Sequence, residues 1–167
     1  MKRIFNLSAL LCLLGKCSKP KVDNSVVNNF DLNVFLGNWY EIARFDHRFE
    51  RGLQQTKANY TLLANGKVRV LNTGIKKGKH SEAKGIAKQT GTPGLLRVSF
   101  WRPFFSDYRI MLLDSNYQYA LVGSKSDDYL WILSRSPQIS SEIKTLILSE
   151  ARRRGYDTDK LIWVKQQ

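Results

Sequence analysis

Leu36-Gly37-Asn38-Trp39-Tyr40-Glu41-Ile42-Ala43-Arg44 is the stretch on which the fold turns. From Trp39 to Phe45 it reads as a β-strand, entered through Gly37, whose missing Cβ lets the backbone turn tightly just before the tryptophan. The chain beyond it repeats the pattern of short β-like runs divided by turn residues. Ala58–Leu63 and Lys67–Asn72 flank Asn65-Gly66, the strongest hairpin signal present. Glu82–Lys88 is a more polar run that suits an exposed position, and Leu95–Phe100 follows Gly91-Thr92-Pro93-Gly94. Tyr108–Leu113 and Tyr117–Val122 are parted by Ser115-Asn116, and Tyr129–Ser134 follows Ser126-Asp127-Asp128.

Eight short strands with tight turns predict an all-β, antiparallel, up-and-down sheet. The pattern alone fits a barrel or a sandwich. Closure into a barrel hides both edges, and eight strands leave room inside for one small ligand. After Pro137 the apolar period changes. Ser140 is a helix N-cap with Glu142 in the first turn, and Ile143, Leu146, Ile147 and Ala151 share one face. Arg152–Arg154 suit the last turn and Gly155 the end, so an amphipathic helix is expected outside the sheet. Leu161–Val164 reads as a short final strand.

Hydrophobic residues make up 43% and charged residues 25% of the 167, which fits one globular domain and excludes wholesale disorder. The net charge of +13 favours anionic partners or simply a solvated basic surface. The basic groups Lys76, Lys77, Lys79, His80 and Arg152–Arg154 lack the aromatic interleaving of a single-strand groove, so no nucleic-acid partner is expected. Cys12 and Cys17 are the only cysteines, which leaves the domain without a disulfide or a thiolate site.

Lys2-Arg3 followed by the mostly apolar Ile4–Leu14 reads as a secretory signal in residues 1–17. Leu13-Leu14-Gly15-Lys16-Cys17 resembles a lipobox, with Lys16 standing where a small residue is usual, and it nominates Cys17 for lipidation and a membrane anchor. Residues 18–29 read as a tether and 30–167 as the domain.

Three motifs carry a family resemblance. Gly37-Asn38-Trp39 resembles the Gly-x-Trp motif that opens the lipocalins, and Trp39–Gly52 resembles the bacterial lipocalins related to apolipoprotein D. Ser106-Asp107-Tyr108 is similar to the family's Thr-Asp-Tyr, with Ser for Thr, and Leu130–Arg135 matches the last barrel strand with its closing arginine. The resemblance covers about residues 30 to 165. It implies an eight-stranded barrel in which Gly37, Trp39, Asp107, Tyr108 and Arg135 are structural, with Arg135 stacked on Trp39. It also implies an outer-membrane lipoprotein facing the periplasm.

With Arg135 inward, strand alternation puts Leu133 and Trp131 inward too. The same parity and the family resemblance select Tyr60, Val70, Asn72, Phe100, Arg109, Met111, Tyr119 and Leu121 as ligand-lining, with Arg109 available to a carboxylate or phosphate. The aromatics and cations of Phe45–Phe49 and Trp101–Phe105 suit a membrane surface, a second copy of the chain, or a loop folded over its own barrel. His47 reads as a solvated loop residue, and Glu41 and Glu50 as partners of Arg44 and Arg48. No catalytic or metal motif and no cofactor is expected. The favoured function is the binding, storage or transport of a fatty acid or lysophospholipid. A cavity isomerase or esterase and a ligand-free envelope interaction protein are the alternatives.

Overall fold

A computed structural model describes residues 22–166. Cys17, the signal segment and the first part of the expected tether lie outside them. The strands are β1 (Gly37–Phe45), β2 (Leu53–Leu62), β3 (Val68–Lys76), β4 (Lys79–Gln89), β5 (Leu95–Trp101), β6 (Phe104–Leu113), β7 (Tyr119–Gly123) and β8 (Leu130–Ser134). Each pairs antiparallel with the next, and β1 pairs with both β2 and β8, so the sheet closes into an eight-stranded barrel. A short helix α1 (Leu32–Phe35) precedes the barrel; the helix α2 (Ser141–Arg153) and the strand β9 (Leu161–Trp163) follow it, as the sequence predicts for the latter two.

A bulge between Glu41 and Ala43 in β1 resets the alternation. Glu41 and Arg44 turn toward the interior, while Ile42, Ala43 and Phe45 join the core beneath α2. Where β2 leaves β1 beyond Tyr40, β9 takes its place. Ala43 pairs with Trp163 and Phe45 with Leu161, and Gln55 N–H then bonds Lys165 O at 2.9 Å. The last strand therefore fills a gap in the wall.

Two cores result, one on each face of the sheet. Trp39, Tyr60, Val68, Val70, Ile110, Ala120, Val122 and Leu133 fill the closed half of the barrel. Met111, Leu121, Leu130 and Ile132 face Ile147 and Ala151 of α2. Ser140 caps the helix by accepting from Ile143 N–H at 3.3 Å, and Gly155 takes φ +90° just beyond it.

The helix α1, capped by Asp31, went unread in the sequence. It seals the closed end by placing Phe35 against Trp39, ring centroids 4.8 Å apart. Residues 22–29, read as tether, run along the barrel wall. Val22 is buried, Asp23 N–H bonds Arg154 O at 2.8 Å, and Val27 N–H bonds Ile110 O at 2.9 Å. Arg154 holds this strap from below through Ser25 O at 2.9 Å and Met111 O at 2.7 Å.

Candidate functional site in the barrel

The closed end is built around Trp39. Its Nε1–H donates to Phe35 O at 2.8 Å, and the Arg135 guanidinium lies 3.9 Å over its ring. Arg135 also donates to Asn38 O at 2.7 Å and Val34 O at 2.8 Å, pinning the turn at Gly37, where φ is +93°. Asp107 sits on the outer wall between Arg97, at 3.1 Å, and Arg109, at 2.9 Å.

Midway up, the Tyr60 and Tyr108 hydroxyls meet at 2.8 Å, and burial pushes both phenols above their ordinary pKa. Below this pair the inward side chains Val68, Ala87, Ala120 and Val122 are wholly buried. Above it the inward positions change character. Ala83, opposite Asn72 on the inward face, is exposed, as is Ser106, opposite Val98, while Phe100 is 41% exposed. Phe100 lies over Gly85, where a Cβ would stand 2.9 Å from its ring. The upper barrel is thus a bowl with small-residue walls, floored by Tyr60 and Tyr108.

A polar cluster lines one side of the bowl. Arg44 is 1% exposed; it pairs with Glu41 and donates to Glu50 O at 2.7 Å and Leu53 O at 3.0 Å. The Glu50 carboxylate accepts Trp131 Nε1–H at 3.1 Å and lies 2.8 Å from His47 Nε2. Burial, and then the nearby Glu50 charge, outweigh Arg44 and push the Glu41 carboxyl up to about 7. Burial also pushes Glu50 upward, but His47, Trp131 and Arg44 together hold it below its ordinary value. His47 therefore packs inside, against Tyr129 and Trp131, rather than in solvent. Glu50 turns to His47 and Arg44; Arg48 instead lies over Phe49, at 4.8 Å.

Of the expected lining residues, Tyr60, Val70, Asn72, Phe100, Trp131 and Leu133 stand on the inward face. Arg109, Met111, Tyr119 and Leu121 do not. Arg109 donates outward to Asp107 and, at 3.3 Å, to Asn24 O. Met111 lies under α2, with Tyr156 Oη–H reaching its sulfur at 3.5 Å, and Tyr119 and Leu121 belong to the same outer core. The physical cause is register. Leu133 pairs with Ala120 and Trp131 with Val122, so inwardness in β8 passes to Ala120 and Val122, and through them to Ile110 and Tyr108. The expectation was one residue out along both β6 and β7.

The sequence reading paired Glu41 with Arg44, as the structure does, but did not place Glu41, Arg44, Glu50 and His47 inside the barrel. Charged residues inside the otherwise apolar run Trp39–Phe45 were the available signal. A recess at the closed end, between Phe30, Pro93 and Leu96, holds only about 150 Å³. Small-molecule sites usually exceed about 300 Å³, so the bowl is the candidate. Among the described residues, no cluster of three or more His, Cys, Asp or Glu side chains could hold a metal, and no helix is long and apolar enough to cross a membrane.

A closed eight-stranded antiparallel barrel with a Trp–Arg plug at one end, a bowl at the other and one helix on its wall is the architecture of the lipocalin-like barrels. Residues 30–166 match the lipocalin-like domain family, and the chain belongs to the lipocalins. It is 48% identical to the outer membrane lipoprotein Blc of Escherichia coli (strain K12) over 160 residues, 92% of this chain and 90% of that one. It is 35% identical to apolipoprotein D of Mus musculus over 164 residues, 92% and 84% of the two chains. Among solved structures, insecticyanin from the tobacco hornworm Manduca sexta superposes with a TM-score of 0.71 at 22% identity, covering 86% of this chain and 84% of that one.

Proposed function

We propose that this chain holds a fatty acid or lysophospholipid, tail down in the bowl, and stores or carries it at the outer membrane of a bacterial envelope. The observation that carries the reading is the change from wholly buried to solvent-open inward positions at the Tyr60–Tyr108 pair. A tail resting on that floor meets Phe100 and Trp131 on the walls, with Val70 and Leu133 packed at and beneath the floor. On the polar side, Arg44 lends the wall its positive charge, and Asn72 Oδ1, buried without a hydrogen-bond partner, can accept from a head-group hydroxyl or ammonium. Similarity to the outer membrane lipoprotein of Escherichia coli supports the envelope location, with acylation at Cys17 as the anchor.

The test is displacement of a fluorescent fatty acid by palmitate and by lysophosphatidylethanolamine. Ala83→Trp fills the bowl from an exposed inward position, and Lys84→Trp adds the same bulk on the outer face. The first should weaken binding at least about tenfold, equivalent to about 1.4 kcal/mol, and the second should leave it unchanged. No displacement, or equal loss in both variants, refutes the reading.

A further inference from the structure

The largest exposed aromatic side chains gather at one end of the molecule. Phe49, in the β1–β2 loop, is 55% exposed; Trp101 and Phe104, which pair across the tip of the β5–β6 hairpin, are 73% and 79% exposed. The two loops rise from opposite sides of the barrel, yet the Phe49 and Trp101 rings meet edge to face with centroids 6.2 Å apart. Together they lie across the mouth of the bowl.

Cations surround these rings. Arg48, Arg51, Lys77, Lys79 and Arg102 are all exposed on the mouth loops, and Arg48 sits on the Phe49 ring. Of the exposed carboxylates at that end, Asp46 is tied to Arg51 at 2.9 Å, Glu82 lies 3.0 Å from His80 and Asp157 3.6 Å from Lys160, which leaves Asp127 and Asp128 on the β7–β8 loop and Asp159 in the turn before β9. The hairpins at the other end carry no exposed aromatic ring: Ala64, Asn65, Gly66 and Lys67 form one tip, and the Tyr117 hydroxyl of another is taken up by Asp31 N–H at 2.8 Å.

We propose that this rim is a docking surface for an anionic phospholipid bilayer. Amphipathic rings with adjoining arginines are the composition that settles at the level of lipid head groups. The cationic ring is complementary to an acidic lipid surface and repels a second copy of the same face. Docking sets the mouth directly against the lipid, where Phe49 and Trp101 part into the head-group region and leave the bowl open to it. The surface is distinct from the expected acyl anchor, and whether the bowl holds a ligand is a separate matter.

The experiment uses the full chain with Cys12→Ser and Cys17→Ser, so that one introduced cysteine takes an environment-sensitive nitrobenzoxadiazole label. The label is placed at the rim (Phe104→Cys) or at the opposite end (Asn65→Cys). Vesicles of phosphatidylcholine with phosphatidylglycerol should raise the rim label's fluorescence several-fold and expose it to quenching by nitroxide lipids. The label at 65 should not respond. Phosphatidylcholine alone or high salt should weaken the rim response, and Trp101→Ala should weaken it further. A rim label that stays aqueous, or two labels that respond equally, overturns the proposal. So does a rim label buried by raising the protein concentration without vesicles, which would assign the surface to a second copy. None of these readings depends on ligand uptake.

Discussion

Replacing Arg135 by alanine removes three things at once. The guanidinium over Trp39, 3.9 Å from the ring but only half-buried, is worth about 1 kcal/mol. The bonds to Asn38 O at 2.7 Å and Val34 O at 2.8 Å are charge-assisted but partly exposed, and count for about 1 kcal/mol each. The longer bonds to Tyr117 O and Phe35 O, both 3.3 Å, add little. The loss is therefore about 3 kcal/mol, or about 9 °C in midpoint temperature for a domain of this size. Arg135→Lys keeps the charge near the ring but cannot fork across the two carbonyls, so about half the loss should remain. Urea unfolding followed by far-UV circular dichroism measures both. The reasoning fails if Arg135→Ala costs less than about 1 kcal/mol, because the closed end would then be held by the apolar contacts of Phe35 and Trp39 alone.

Three other consequences follow from the same geometry. Glu41, held near 7 in the folded chain against an ordinary value of 4.5, keeps its proton on folding between those values. Unfolding free energy should accordingly fall as pH rises through that window, by up to about 3 kcal/mol, and Glu41→Gln should flatten the dependence in urea midpoints. Glu50, shifted the other way, loses its stabilising contribution only as pH drops below its ordinary value, so the two effects separate. Leu121→Ala, beneath α2, should cost about 2–5 kcal/mol in thermal or urea unfolding yet leave fatty-acid affinity unchanged, since the side chain faces away from the bowl. Ser140→Ala should cost about 1 kcal/mol by orphaning Ile143 N–H, read in the same unfolding assays.

The architecture was legible because its signals are local. Gly37 and Trp39, the turn residues between strands, and the cap and stripe of α2 each act within a few residues; all eight strands are present, with β2, β3 and β6 running four or five residues further toward the mouth than expected. The inward face was legible only where one side of a strand is polar or a motif fixes it, as Arg135 does for β8. In β6 and β7 both faces are buried, one by the barrel and one by α2, so Ile110 beside Met111 and Leu121 beside Val122 carry no alternation. A one-residue error there exchanged Ile110 for Met111 unnoticed. The polar cluster was hidden differently. Glu41 shares the inward parity of Trp39, but it, Arg44 and His47 look solvent-facing until the bulge in β1 turns Arg44 to the same side and the β1–β2 loop brings Glu50 over them. The strap from Val22 to Asn29 has no periodicity of its own, and its place depends on Arg154, more than a hundred residues away.

The central claim is that a hydrocarbon tail lies inside the barrel. Nuclear Overhauser contacts between a fatty acid and the isotope-labelled full-length protein reach only adjoining groups and test it directly. The tail should touch the Ala83 methyl and the rings of Phe100 and Trp131, and should not touch the methyls of Leu121 and Ile147 across the sheet. Contacts confined to the α2 side, or none to Ala83, Phe100 and Trp131, would place the tail outside the bowl and contradict the account.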